Sequence, residues 1–354
     1  MTNSAARKLD FALPPELEAS TPPEERGIGR DDVRLMASYR SSRRIEHHRF
    51  PELPDLLLPG DLLVVNTSAT IPAALHGFVL GQPALLHLSA RRDDGSWIVE
   101  LRHRNPDQGS SAPWFDARPN TVVLLSARGR AILRAPALAT ATGETRLWSA
   151  ELDLPSSARE YLAEHGRPIR YSYVGVDRPI AAYQSVFASD PGSAEMPSAS
   201  RPFTAEIVTR LVARGVGIAP VLLHCGVSSL EAHEPPVPER FRVSPQTAER
   251  VNATHRLGGR VIAVGTTVVR ALESAAVASG LVLPADGWTE LVLRSDHELR
   301  VVDGVLTGWH EPRASHLTLL AAVAGPALLE ASYRAALDEG YLWHEFGDCH
   351  LILP

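Results

Sequence analysis

The spacing of the apolar residues changes near residue 150, and that change limits what this chain can fold into. Between residues 71 and 152 the apolar runs are short, at 84–88, 97–101, 121–125, 131–133 and 146–152. Turn chemistry separates them: Asp93-Asp94-Gly95, Arg128-Gly129-Arg130 and Thr142-Gly143-Glu144. Short strands joined in this way predict a small β-barrel or a sandwich.

Helical spacing takes over beyond Pro155. Phe203, Ile207, Val208 and Leu211 share one helical face, and Gly215 stands where a C-terminal cap belongs. Residues 216–225 then read as a buried strand. Ser244-Pro245 reads as the N-cap and first residue of a helix that runs to about Leu257 and stops at Gly258-Gly259. Residues 260–265 form a strand, and Thr266 or Thr267 caps a helix reaching Ala278. Residues 289–294 read as another strand, and Ser315 opens a helix to about Ala324. Earlier, residues 62–65 form a strand after the turn pair Gly60-Asp61, while the Pro-rich and charged start of the chain reads as irregular with short structured pieces. Helices alternating with buried strands predict an α/β domain, a mostly parallel sheet with helices on both faces.

The length of 354 residues suffices for a core without covalent staples, and 44% apolar with 21% charged residues is a globular mix. A net charge of −6 offers a polyanion no general attraction, so nucleic acid would need a local arginine patch. Two cysteines, Cys225 and Cys349, cannot build a disulfide framework, which fits a reducing cytoplasm. The first ten residues lack an apolar h-region, and the apolar stretch at 317–329 is broken by Gly325-Pro326. Neither a secretion signal nor a membrane span is expected.

Two segments concentrate chemistry. Residues 258–274 read as strand, tight turn and helix, leaving the first helical amides free outside the carboxyl end of a sheet strand. A carboxylate or phosphate is stabilised there by the helix dipole. Thr266 and Thr267 add hydroxyls, and Arg270 follows on the same helix edge; a purely structural βα turn is the alternative. The second is Thr307-Gly308-Trp309-His310-Glu311-Pro312-Arg313. Trp309 offers an aromatic face for a cation and His310 an acid or base near neutral pH, against the alternative of a helix-entry loop with one buried Trp. His224-Cys225-Gly226, with His344 and Cys349-His350, matches no compact zinc spacing, and no metal site is expected. No Walker loop, nucleophile elbow or dinucleotide glycine fingerprint is present.

Residues 258–274 closely resemble the most recognisable segment of the S-adenosylmethionine:tRNA ribosyltransferase-isomerase family of queuosine biosynthesis. Further pieces follow in the family's order: Leu13-Pro14-Pro15-Glu16-Leu17, Pro59 through Asn66, Ile71-Pro72-Ala73, Tyr183-Gln184-Ser185-Val186-Phe187-Ala188, Gly192-Ser193, Pro197, Leu223-His224, His310 with Pro312-Arg313, and Phe346-Gly347-Asp348. The resemblance implies a discontinuous α/β domain of residues 1–65 and 151–354, with residues 66–150 inserted as a small β-barrel. It implies S-adenosylmethionine as substrate without a metal, and a 7-aminomethyl-7-deazaguanine in tRNA as ribosyl acceptor. The turn from Gly265 to Glu273, with Thr266, Thr267 and Arg270, would hold S-adenosylmethionine. Trp309, Arg313, His224, Tyr183, Gln184 and Asn66 would line the substrate site, and His310 would be catalytic.

The sequence departs from the family at several points. Asn-Asp-Thr-Arg is replaced by Asn66-Thr67-Ser68-Ala69, and Pro-Thr-Ala-Gly-Leu-His-Phe by Pro197-Ser198-Ala199-Ser200-Arg201-Pro202-Phe203. His-Val-Gly-Leu-Gly-Thr-Phe becomes His224-Cys225-Gly226-Val227-Ser228-Ser229-Leu230, the His-Ser-Glu stretch keeps only Glu239, and Thr-Asn-Phe-His becomes Thr307-Gly308-Trp309-His310. These changes imply that recognition of the tRNA is weakened or lost. They leave open a paralogue acting on another acceptor, a small molecule included, and a non-catalytic S-adenosylmethionine-binding module.

Overall fold

The computed structural model describes residues 9–105, 110–138, 145–171, 173–228 and 237–354; the turn expected at Thr142-Gly143-Glu144 lies outside them. Strands β1 (Arg34–Tyr39) and β2 (Ile45–Arg49) form a hairpin, followed by helix α1 (Leu53–Leu56) and strand β3 (Leu62–Asn66). The chain then crosses through β4 (Ser68–Thr70) into β5 (Ala74–Val79), β6 (Gln82–Arg91), β7 (Trp97–Asn105), β8 (Ser110–Pro113), β9 (Val122–Leu125), β10 (Arg130–Pro136) and β11 (Leu147–Asp153). It returns through α2 (Ala158–His165) and β12 (Asp190–Ser193), which pairs in parallel with β4.

The remaining chain alternates as the periodicity requires. Its elements are α3 (Ala205–Ala213), β13 (Gly217–Leu223), β14 (Glu239–Val243), α4 (Pro245–Arg256), β15 (Val261–Val264), α5 (Thr266–Ala275), β16 (Ala285–Thr289), β17 (Gly304–Gly308), α6 (Ser315–Ala324), α7 (Pro326–Asp338) and β18 (Cys349–Leu353). Together with β1, β2 and β3, its strands form one sheet in the order β16-β14-β13-β3-β15-β17-β18-β1-β2.

The sheet is mixed. Strands β13, β3, β15 and β17 run parallel at its centre, β18 pairs in parallel with β1, and the other four pairings are antiparallel. Side chains alternate across a strand, so β3 sends Leu62 and Val64 into the core under α4 to α7, and Leu63 and Val65 into the core under α1 and α3. Burial on both faces explains why the central strands are apolar throughout.

In the inserted region, β5, β6, β7, β11, β10 and β9 close in antiparallel register into a six-stranded barrel, with β8 added to β7. Closure removes the unpaired edges that six short strands would otherwise expose. Tyr161 and Leu162 of α2 complete the barrel core. The barrel strands run from Ala74 to Asp153, beside the 66–150 insert that we propose as the domain division.

Several elements differ from expectation. The strand expected at 289–294 ends at Thr289, because residues 285–289 pair with β14. Helix α5 ends at Ala275 rather than Ala278, because Ala276 bridges back to Val282 around Gly280 (φ 80°). Neither Thr266 nor Thr267 caps α5; Gly265 holds the N-cap position at φ 96°, a conformation that glycine adopts without strain. Gly325-Pro326 is the junction between two helices, with Pro326 as the first residue of α7.

Candidate active site

The Gly265 turn sits at the carboxyl ends of the central parallel strands. Its amide donates to Leu306 O (2.8 Å), which ties the turn to β17. Thr267 Oγ1 is buried without a hydrogen-bond partner among the described residues. One turn along α5, the Arg270 guanidinium pairs with Glu239 and donates to Leu291 O (3.1 Å).

Residues 225–228 form the facing wall, and side chains fix four successive amides. Cys225 N donates to Ser193 Oγ (2.9 Å), Gly226 N to Glu239 Oε1 (2.9 Å), Val227 N to Ser89 Oγ (3.0 Å) and Ser228 N to Glu195 Oε1 (2.8 Å). Ser89 belongs to β6, and Arg146 beside β11 donates to Ser228 O (2.7 Å), so the barrel itself braces this wall. Backbone that would otherwise lack partners is thereby satisfied without a strand.

Beyond β17, Thr307 Oγ1 and His310 Nε2 lie 3.0 Å apart, and the His310 ring stacks on His316 at 4.4 Å. Burial, with His316, His344 and His350 nearby, holds His310 well below the usual imidazole range. Burial and the Arg270 charge push His316 down to about 4. Both rings are therefore neutral near pH 7.

The last wall comes from the loop after α2, the loop after β12 and the segment before β18. Tyr171 OH donates to Glu195 and Tyr173 OH to Glu345. Tyr173 stacks on His344 at 4.0 Å and on Tyr171 at 5.9 Å. Burial pushes Glu345 up to about 7 and also raises Glu195. These walls enclose a cavity of about 230 Å³.

Of the twelve residues assigned to the substrate site from the sequence, Gly265, Thr266, Thr267, Arg270, Trp309 and His310 border this cavity. Trp309 is only 1% exposed, and one ring face is covered by His350 at 4.7 Å, so the open aromatic face expected there is absent. The stacked Tyr171, Tyr173 and His344 supply the cavity's aromatic surface instead.

The other six stand away from it. Glu273 accepts the amides of Arg300, Val301 and Val302 at 3.0–3.1 Å and pins that loop to α5. Arg313 is exposed and faces Asp10 at 3.6 Å. Asn66, Tyr183, Gln184 and His224 all brace the crossing into the barrel. Asn66 donates to Leu223 O (2.7 Å), and Gln184 grips both backbone groups of Thr70 (2.8 and 3.0 Å). Tyr183 O accepts from Thr70 Oγ1 (2.9 Å), and His224 Nδ1 lies 2.7 Å from Ser68 Oγ. His224 rests where a side chain on Gly192 would stand.

Reading the sequence missed Tyr171, Tyr173, Glu195, His316 and Glu345, and noticed Glu239 only as a family remnant. Glu345 directly precedes Phe346-Gly347-Asp348, and Glu195 closely follows Gly192-Ser193, so proximity to those segments was the available signal. Among the described residues, no group of three or more His, Cys, Asp or Glu is placed to hold a metal ion. No helix among them is long and apolar enough to cross a membrane.

Comparison with known proteins agrees with this architecture. The family model described as "Queuosine biosynthesis protein" matches residues 6–352. The S-adenosylmethionine:tRNA ribosyltransferase-isomerase of Symbiobacterium thermophilum is 35% identical over 359 aligned residues, covering 98% of both chains. That of Thermosynechococcus vestitus is 36% identical, covering 98% of this chain and 95% of its own. The crystal structure of the S-adenosylmethionine tRNA ribosyltransferase from Thermotoga maritima aligns with a TM-score of 0.53 at 29% identity, covering 98% of this chain and 99% of that one. With the match extending through both the barrel and the sheet, the chain belongs to the queuosine biosynthesis protein family, whose curated relatives are transferase-isomerases.

Proposed function

We propose that this enzyme transfers the ribosyl part of S-adenosylmethionine to the aminomethyl group of a 7-aminomethyl-7-deazaguanine in tRNA, giving epoxyqueuosine and releasing adenine and methionine. The observation that carries this reading is one cavity combining the family's glycine turn at the start of α5 with a neutral imidazole, His310. The adenosylmethionine sulfonium acidifies the adjacent ribose C5′ hydrogens, so a neutral base can remove one of them. His310 is the base we assign to that step, with Thr307 orienting its ring. The α5 turn is where we place the methionine carboxylate, with Thr267 Oγ1 as a donor. The reading needs no metal, takes tRNA and S-adenosylmethionine as partners, and places the enzyme in the cytoplasm.

A second reading, the same donor with a different acceptor, is favoured by departures that do border the cavity: Ser198, Cys225, Ser228, Gly308 and Trp309. Incubation with S-adenosylmethionine separates the two. Adenine and methionine released only with the modified tRNA support the first, and release without tRNA supports the second. Binding without any release would leave an S-adenosylmethionine-binding module.

A further inference from the structure

Four glutamates line the cavity and their surroundings differ; the Glu311 side chain is 57% exposed to solvent beside His344. Glu239 is paired with Arg270. Glu195 and Glu345 also face the cavity, yet neither has an arginine partner among the described residues; phenols and a serine hold them instead. A carboxylate out of bulk water without a countercharge is unstable and either takes a proton or awaits a cation. The cavity also keeps a donor unsatisfied. Trp309, 1% exposed and bordering the space, has no partner for Nε1 among the described residues. An indole N–H left in this way calls for an acceptor atom elsewhere on a bound substrate, since an ammonium offers none.

The cation can be identified by chemistry, on the proposed reaction. The sulfonium of S-adenosylmethionine has no N–H or O–H to donate, and its α-ammonium stays beside the methionine carboxylate that we place at the α5 turn. A primary ammonium carries three donors, suited to carboxylates held in place by Tyr171 and Tyr173. We infer that Glu345, with Glu195 as second acceptor, captures the ammonium of the acceptor's aminomethyl group and takes one of its protons.

In that step an N–H bond breaks and its electron pair stays on nitrogen. An O–H bond forms on Glu345, so a cation and an anion become two neutral groups. The nitrogen lone pair is then available to bond to the ribosyl carbon. Burial already brings Glu345 up to about 7, close to balance between its two forms at neutral pH. His344, stacked on Tyr173, is pushed down to about 4 by burial and brings no competing positive charge.

The test compares tRNA carrying 7-aminomethyl-7-deazaguanine with tRNA carrying the neutral 7-cyano-7-deazaguanine. Wild-type enzyme should prefer the amine by about tenfold or more in binding. Glu345→Gln should erase most of that preference and slow single-turnover product formation by about 100-fold, with S-adenosylmethionine affinity unchanged. Glu345→Asp should recover part of the preference. Should Glu345→Gln melt below the assay temperature, Glu195→Gln carries the same comparison. A folded variant at either position that keeps the full preference and rate would overturn the inference alone. Wild-type enzyme that releases no adenine with the amine-bearing tRNA would overturn the reaction on which it rests.

Discussion

Glu239 bridges Arg270 of α5 and the amide of Gly226, so one carboxylate ties the start of the helix to the wall that faces it. Arg270 is therefore not an idle cation awaiting a ligand. Its side chain and that of Glu239 are 11% and 12% exposed, which makes the pair expensive to break from one side. Arg270→Ala should destabilise the fold by about 3 kcal/mol. The double variant Arg270→Ala/Glu239→Gln should be more stable than Arg270→Ala alone, since no carboxylate is stranded. Urea titrations of the three proteins check this. Calorimetry on the folded fraction should show S-adenosylmethionine binding weakened by at least about 1.5 kcal/mol if Arg270 also reaches the ligand carboxylate.

His310 should matter to turnover more than to stability. Its ring is neutral well below pH 6.5, so it brings no titration of its own to the rate between pH 6.5 and 8. His310→Ala should cut the rate by about 100-fold with little change in melting temperature. A variant that turns over at the wild-type rate would remove His310 as the proton acceptor.

The barrel should have its own acid limit. Burial alone would raise Glu100, but a hydrogen bond from His87 and the charges of His87, Arg146 and Arg102 bring it down to about 2. A carboxylate lowered in the fold stabilises it above the unfolded value near 4.5, and that contribution is lost as pH falls towards 2. The loss is about 3 kcal/mol. Trp97 and Trp148 are buried in the barrel core, so their fluorescence reports it. Glu100→Gln should already be destabilised at pH 7 and should show a shallower acid transition than wild type.

What the sequence could reveal follows from where burial comes from. Residues 62–65 and 261–264 were legible as strands because both faces are covered and every side chain is apolar. The strands β1, β2 and β18 escaped notice because Arg34, His47, His48 and His350 interrupt the pattern. His350 is nevertheless fully buried, 2.8 Å from Ser38 Oγ, a partner 312 residues away that no local pattern encodes. The site divides in the same way. Gly265 to Arg270 is one continuous strand-turn-helix and was visible as such. Tyr171, Glu195 and Glu345 come from three separated loops, and only the fold brings them together.

Acceptor recognition is the remaining prediction, and the structure redistributes the sequence departures that bear on it. Thr67 lies on the crossing into the barrel, where its hydroxyl donates to Val221 O (3.2 Å). Ser200 donates to Pro197 O (2.7 Å), and Arg201, 2% exposed, pairs with Glu24 and lies over Phe346. These positions serve the frame and do not border the cavity, so their divergence removes no base contact there. Val237, Cys225 and Ser228 do border it. Discrimination at the modified base should therefore change more than attachment to the tRNA backbone. A filter-binding titration at two salt concentrations, with modified and unmodified tRNA, separates these effects. Backbone attachment through arginines gives a steep salt dependence shared by both tRNAs. Contacts at the base give a preference for the modified tRNA of about 1–3 kcal/mol per polar contact retained. We expect a preference for the modified tRNA near the lower end of that range. Weak, salt-insensitive binding of both tRNAs, beside full S-adenosylmethionine binding, would instead assign the enzyme to another acceptor.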